Sequence, residues 1–149
     1  MPFGVNLFTY PNQPSPLMLN QLTIRNYVLV DHLDIGFAPG LTGITGESGA
    51  GKSILLGALG LLMGERARTD SVRPGADKAD VSAEFALRKD SALHQKLLTD
   101  ELIEADDDCC LVRRVVSAEG RSRAFINNVP VTVNYLKEAT EHLVDIQDQ

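Results

Sequence analysis

Gly46-Glu47-Ser48-Gly49-Ala50-Gly51-Lys52-Ser53 is the stretch whose reading decides the fold. It fits G-x-x-x-x-G-K-[ST], a loop built to hold phosphate. Gly46, Gly49 and Gly51 lack a Cβ, so the backbone can turn through positive φ and aim its N–H groups inward. Glu47, Ser48 and Ala50 occupy the variable positions of the same anion cradle. The positive end of the following helix adds to it. Lys52 is expected on the β- and γ-phosphates of a nucleoside triphosphate, and the Ser53 hydroxyl on Mg²⁺.

The flanks suit that reading. Leu41-Thr42-Gly43-Ile44-Thr45 reads as a short strand entering the loop, and Lys52 to Met63 as the helix leaving it, with Gly64 as its C-terminal stop. Ile54, Leu55, Leu56, Ala58, Leu59, Leu61, Leu62 and Met63 make that helix apolar nearly all round, which predicts burial inside a layered α/β domain. Gly57 and Gly60 lower its helix propensity, so close packing against a neighbour is the expected compensation.

Bulk properties bound the rest. The chain has 149 residues, 44% hydrophobic and 23% charged, which suits one domain with a sizeable core. A net charge of −6 argues against broad, non-specific nucleic-acid binding and leaves room for a local basic patch. No run is long or apolar enough to span a membrane, and no secretory signal pattern opens the chain. Cys109 and Cys110 are adjacent, and neighbours rarely bridge, so reduced thiols and a cytoplasmic setting are expected.

Upstream of the loop, Pro2, Pro11, Pro14 and Pro16 oppose regular structure, and residues 1–17 read as a disordered leader or upstream extension. A docking arm using Phe3, Phe8 and Tyr10 is the alternative. From Leu19 the pattern changes: Leu22, Ile24, Tyr27, Leu29 and Val30 suggest a strand bending near Asn26, and Leu33, Ile35 and Phe37 a second, antiparallel one. Arg25 and Asn26 of this hairpin are either surface residues or approach the nucleotide.

Downstream, residues 65–78 form a polar loop with a Pro74-Gly75 turn. Val81, Ala83, Phe85 and Leu87 alternate as a strand, and residues 90–104 read as an amphipathic helix. Residues 110–116 and 121–127 predict a hairpin. Val131 to Leu143 suits a helix, and Val144 to Gln147 a short final strand. Arg121 and Arg123, at period-two spacing, are expected to point the same way. They, Arg113, Arg114 and Arg73 are candidates for contact with DNA phosphate or nucleotide, the plain alternative being a solvated face paired with Asp106–Asp108.

The order of two strands, Gly46–Ser53, Ala58-Leu59-Gly60, Val72-Arg73, Arg113-Arg114-Val115 and Gly120-Arg121-Ser122-Arg123-Ala124-Phe125-Ile126-Asn127 resembles the N-terminal half of the head in the RecN family. These are DNA-repair proteins of the SMC class, built on an ABC-type ATPase head. The resemblance runs from Met18 to Gln149. It implies an α/β P-loop NTPase fold, the N-terminal lobe of an ABC/SMC-type head with an antiparallel β subdomain. It further implies ATP and Mg²⁺ as cofactors and a role in double-strand-break repair and recombination. The implied partners are the C-terminal half of the same head, a second head across sandwiched ATP, and DNA. In the family that C-terminal half carries the signature and Walker B motifs. Asp145-Ile146-Gln147-Asp148-Gln149 resembles the family's Q-loop, Asp-Ile-His-Gly-Gln, which assigns Gln149 to the magnesium- and water-facing position; Gln147 and Asp148 depart from it.

No Leu-Ser-Gly-Gly signature occurs in the chain. Leu97-Leu98-Thr99-Asp100-Glu101 imitates a Walker B strand, yet its stripe is helical and its lead-in, His94-Gln95-Lys96, is polar. His32, His94 and His142 are scattered and read as surface or satisfied histidines. The chain is therefore expected to hold half a catalytic site, binding ATP with little or no hydrolysis alone. A small P-loop kinase and a non-catalytic, nucleotide-dependent interaction module remain the rival readings.

Overall fold

The structure of the chain is a computed structural model, and it describes residues 2–4, 17–36, 43–45 and 49–147. Its strands are β1 (Pro2–Gly4), β2 (Leu17–Tyr27), β3 (Val30–Gly36), β4 (Gly43–Thr45), β5 (Lys78–Leu87), β6 (Cys109–Ser117), β7 (Ser122–Ile126) and β8 (Val129–Val131). Its α-helices are α1 (Gly49–Leu62), α2 (Ala92–Thr99) and α3 (Val133–Gln147). β3-β2-β5-β6-β7-β8 form one antiparallel sheet in that order, and β1 pairs antiparallel with β4.

Alternation builds the sheet. Ala79, Val81, Ala83, Phe85 and Leu87 of β5 are buried, as are Cys110, Val112, Arg114 and Val116 of β6, while the residues between them are half-buried on the other face. Opposite faces of a pleated strand receive alternate side chains, so one sheet face carries the core and the helices cover it. Leu55, Ala58, Leu59, Leu61 and Leu62 bring α1 into that core, Leu93 and Leu97 bring α2, and Leu136 and Ala139 bring α3.

The expected β2–β3 hairpin is present, with Leu22 opposite Ile35 and Ile24 opposite Leu33. Its turn falls at Val28–Leu29, so Val30 opens β3 instead of continuing β2. Asn26 and Val28 both take positive φ, 52° and 55°. Phe37 lies outside the described residues.

Other expectations shift. α1 begins at Gly49, inside the loop, three residues earlier than expected, and ends as expected at Gly64, which has φ 92°. Gly64 N–H donates to Leu61 O at 3.1 Å and Glu65 N–H to Gly60 O at 3.0 Å, the paired bonds of a Schellman stop. α2 is shorter than the expected 90–104 because Glu101 adopts φ 61°, which ends the helix. Asn127 and Asn128 at φ 51° and 68° make a two-residue hairpin turn into β8, a strand the apolar pattern did not reveal. Val144 to Gln147 is the last turn of α3 and not a strand.

Within residues 1–17, residues 2–4 pair with Gly43–Thr45. Pro2 is tolerated as the first residue of a strand, where its missing N–H leaves the ladder intact. The remaining candidates for a docking arm, Phe8 and Tyr10, lie outside the described residues.

Candidate nucleotide-binding site

β4 ends at Thr45 and α1 starts at Gly49, so Gly46, Glu47 and Ser48 alone connect strand to helix. These three residues lie outside the described residues. The backbone of Gly49, Ala50, Gly51 and Lys52 forms the first turn of α1, and Ser53 follows, exposed. That turn carries no acidic residue. A 14-residue helix with no carboxylate in its first turn presents its unpaired first N–H groups and the positive end of its dipole at that terminus, which suits an anion such as a triphosphate. Lys52 and Ser53 would hold the phosphates and Mg²⁺, which when bound supplies charge neutralisation for the transferring phosphoryl group.

The other end of α1 is clamped. Arg114, 1% exposed on the inward face of β6, donates from Nη1 to Leu61 O at 2.7 Å and Glu65 O at 2.9 Å. Its Nε and Nη2 donate to Ser122 Oγ of β7 at 3.1 and 2.6 Å. None of the ion pairs among the described residues involves Arg114. Its charge is met by the negative end of the α1 dipole, and burial pushes its guanidinium below the usual arginine range. From α3, the Thr140 hydroxyl donates to Met63 O at 3.0 Å.

This corrects the expectation for Arg114, which is a structural clamp and not a DNA-facing residue. An inward register position between Val112 and Val116 is the sequence signal that points to its burial. Arg113 does not pair with the acidic turn either. Its Nη2 lies 2.6 Å from Asp80 Oδ2, which holds it above the usual arginine range, and its guanidinium sits 5.5 Å from the Phe125 ring. Arg123 covers the same ring at 5.3 Å on the face away from the helices and, like Arg121, is exposed. Ser122, between them in sequence, is the residue that meets the Arg114 clamp at the C-terminal end of α1. Arg73 is half-buried, and its N–H donates to Asn26 O at 2.8 Å. Arg25 is exposed.

The remaining candidates resolve as follows. Leu97-Leu98-Thr99-Asp100 is the end of α2, with Asp100 accepting from the Tyr135 hydroxyl at 2.6 Å, so it is not a Walker B strand. His32 pairs with Asp34 at 3.2 Å. His94 is buried with Nε2 3.0 Å from Asp107 O, and its Nδ1 has no partner among the described residues. Both cysteines are free, Cys109 exposed and Cys110 buried. No cluster of metal-ligating side chains and no membrane-spanning helix occurs among the described residues. Gln149 lies outside them.

A sequence model of the AAA domain matches residues 21–149. The chain belongs to that AAA domain family. Within it the chain is RecN-like. The DNA repair protein RecN of Haemophilus influenzae is 46% identical over 133 residues, covering 89% of this chain and 24% of the relative. The chain thus spans about a quarter of that relative's length. Among solved structures, the Smc head domain of Pyrococcus furiosus with an extended coiled coil has a TM-score of 0.63 at 21% identity, over 84% of this chain and 33% of that one. A chain from a study of ATP-driven dimerization and DNA-stimulated activation of SMC ATPases has a TM-score of 0.62 at 20% identity, over 85% and 79%. At these identities the likeness concerns the fold: the AAA domain family member has the SMC/ABC-type P-loop head fold, in its N-terminal head portion.

Proposed function

We propose that the chain is the ATP-binding N-terminal part of a RecN-like SMC-class ATPase acting in double-strand-break repair and recombination. The observation that carries this reading is the phosphate-loop sequence placed at the β4–α1 junction, with the far end of α1 held in the core. Lys52 and Ser53 bind the triphosphate and Mg²⁺, and Gln149 takes the water-facing position.

Hydrolysis awaits the C-terminal half of the head, which brings the polarising carboxylate, and a second head across the nucleotide. Leu56, a large apolar side chain 45% exposed on the phosphate helix, supports a further segment packing there. DNA contacts the assembled protein in the cytoplasm, with Arg73, Arg121 and Arg123 as candidate phosphate contacts; the exposure of the last two supports that role.

The test is MgATP binding and turnover by the chain, wild type and Lys52→Ala, with and without DNA. Lys52-dependent binding without turnover is the expected result. Turnover by the chain alone overturns the half-site reading in favour of a complete kinase or ATPase. Binding indifferent to Lys52→Ala overturns the phosphate-loop assignment.

A further inference from the structure

We propose that Arg114 is a positioning residue for the phosphate loop, fixing α1 along its own axis and tying it to the β6–β7 hairpin. The proposal rests on the nucleotide-binding reading above. Apolar burial of Leu55, Ala58, Leu59, Leu61 and Leu62 sets which face of α1 meets the sheet. Hydrophobic contact is non-directional, so by itself it restrains sliding along the helix axis poorly. Hydrogen bonds are directional and short.

The Arg114 guanidinium is a rigid fork of five donors. One nitrogen reaches both Leu61 O and Glu65 O, across the helix stop, while the other two reach Ser122 Oγ. The fork therefore locks the axial height of α1 to one rung of the β6–β7 ladder, where Arg114 pairs with Ala124. Leu61 lies about 18 Å along the axis from Gly49 at 1.5 Å per residue, and a helix is stiff over that length. A displacement at the clamp is carried along the helix to its first turn, Gly49–Lys52, where misplacement by about 1 Å can cost up to a hundredfold in a positioned reaction.

Charge makes the same point. A buried cation with no carboxylate partner among the described residues is weak evidence for a stabilising role. What it supplies is three differently aimed donors, which lysine cannot reproduce in a plane. Ser122 aims the fork: with both Nε and Nη2 held, the plane of the guanidinium is set.

MgATP affinity and amide exchange, measured well below the melting temperature on wild type, Arg114→Lys, Ser122→Ala and Asn127→Ala, test this. The expected affinity loss is about tenfold for Arg114→Lys and about threefold for Ser122→Ala, both within the range a positional error produces. Asn127→Ala, destabilised through its bonds to Leu111 and Leu102 and not through α1 or the Arg114 fork, keeps wild-type affinity. In the wild type, MgATP slows exchange at residues 114–126, and Ser122→Ala loses that response while its fold persists. Wild-type affinity in a folded Ser122→Ala with the response intact overturns the proposal, even if Arg114→Lys fails to fold. Affinity falling equally in Asn127→Ala also overturns it, because stability alone then explains the loss. Absence of MgATP binding by the wild type is a different failure, of the nucleotide reading itself, and takes this proposal with it.

Discussion

The Tyr27 hydroxyl occupies the space that a β-carbon at Gly57 would need. Tyr27 ends β2 with its side chain buried at 6% exposure, and Gly57 sits in the middle of α1, so the contact joins the hairpin before the phosphate loop to the helix after it. The helix tolerates a glycine there because no other residue leaves room for the ring.

Gly57→Ala sets two effects against each other. Alanine gains about 1 kcal/mol of helix propensity, and overpacking a buried contact costs about 1–3 kcal/mol. The substitution is expected to destabilise the chain by about 1 kcal/mol, since the obstructing atom belongs to an aromatic ring held in the core. Tyr27→Phe removes that atom and is expected to restore stability in the Gly57→Ala background. Urea unfolding of the two single variants and the double variant measures the coupling; strictly additive changes would show that the contact does not limit the site.

Gly64→Ala is expected to cost more, above about 2 kcal/mol, because left-handed backbone and steric overlap add there. Its φ is 92°, and a β-carbon would lie 2.7 Å from the Lys137 backbone where α3 crosses the end of α1. Faster amide exchange in the last turn of α1 and the first turns of α3 is the accompanying signature. Unchanged exchange in α3 would refute the crossing contact.

Asn127 ties three elements together. Its Oδ1 accepts from Leu111 N–H of β6 at 2.8 Å, its Nδ2 donates to Leu102 O after α2 at 2.9 Å, and its own φ is 51°. Asn127→Ala removes both side-chain bonds and places alanine in left-handed backbone, for an expected loss of about 2–3 kcal/mol. Asn127→Gly recovers only the backbone part, about 1 kcal/mol. Equal stability of the two variants in denaturant unfolding would mean that the side-chain bonds carry nothing.

Alkaline pH is expected to weaken the fold. Burial, with Cys109 and Glu84 nearby, pushes the Cys110 thiol from 9.0 up to about 12. Burial likewise raises Tyr27, with Glu65 and Asp70 adding to it, and raises Tyr135 together with its bond to Asp100. The native state then holds protons that the unfolded chain has released. Stability is full below pH 9 and falls as pH climbs from about 9 toward 12. Cys110→Ala is expected to flatten the first part of that slope in unfolding measured against pH. At pH 8 alkylation should reach exposed Cys109 alone, and slowly, because desolvation and the neighbouring Glu84, Asp108 and Asp107 raise its thiol too. Mass spectrometry showing two adducts on the folded chain would contradict the burial of Cys110.

Much of this molecule is a local matter, settled within a few residues of chain. The apolar helix α1, the stop at Gly64, the alternation of Val81 to Leu87 and the arginine-bearing hairpin each follow from side-chain period, glycine placement and turn chemistry. All of these act between near neighbours. The family resemblance likewise rests on contiguous motifs. Where local signals conflict or fall silent, only the tertiary structure decides. Glu101 stops α2 inside a pattern that continues helically, and three-residue β8 is too short to show a period. Val144 to Gln147, apolar and short, reads equally as strand or helix until α3 runs through it. The two adjacent arginines are the sharpest case. Arg113 and Arg114 are chemically identical and next to each other, yet the pleat sends one outward to Asp80 and the other inward to the carbonyls at the end of α1. The sequence alone determines that they face opposite ways. Which face is the core depends on where α1, some fifty residues earlier, packs, and that contact exists only in three dimensions.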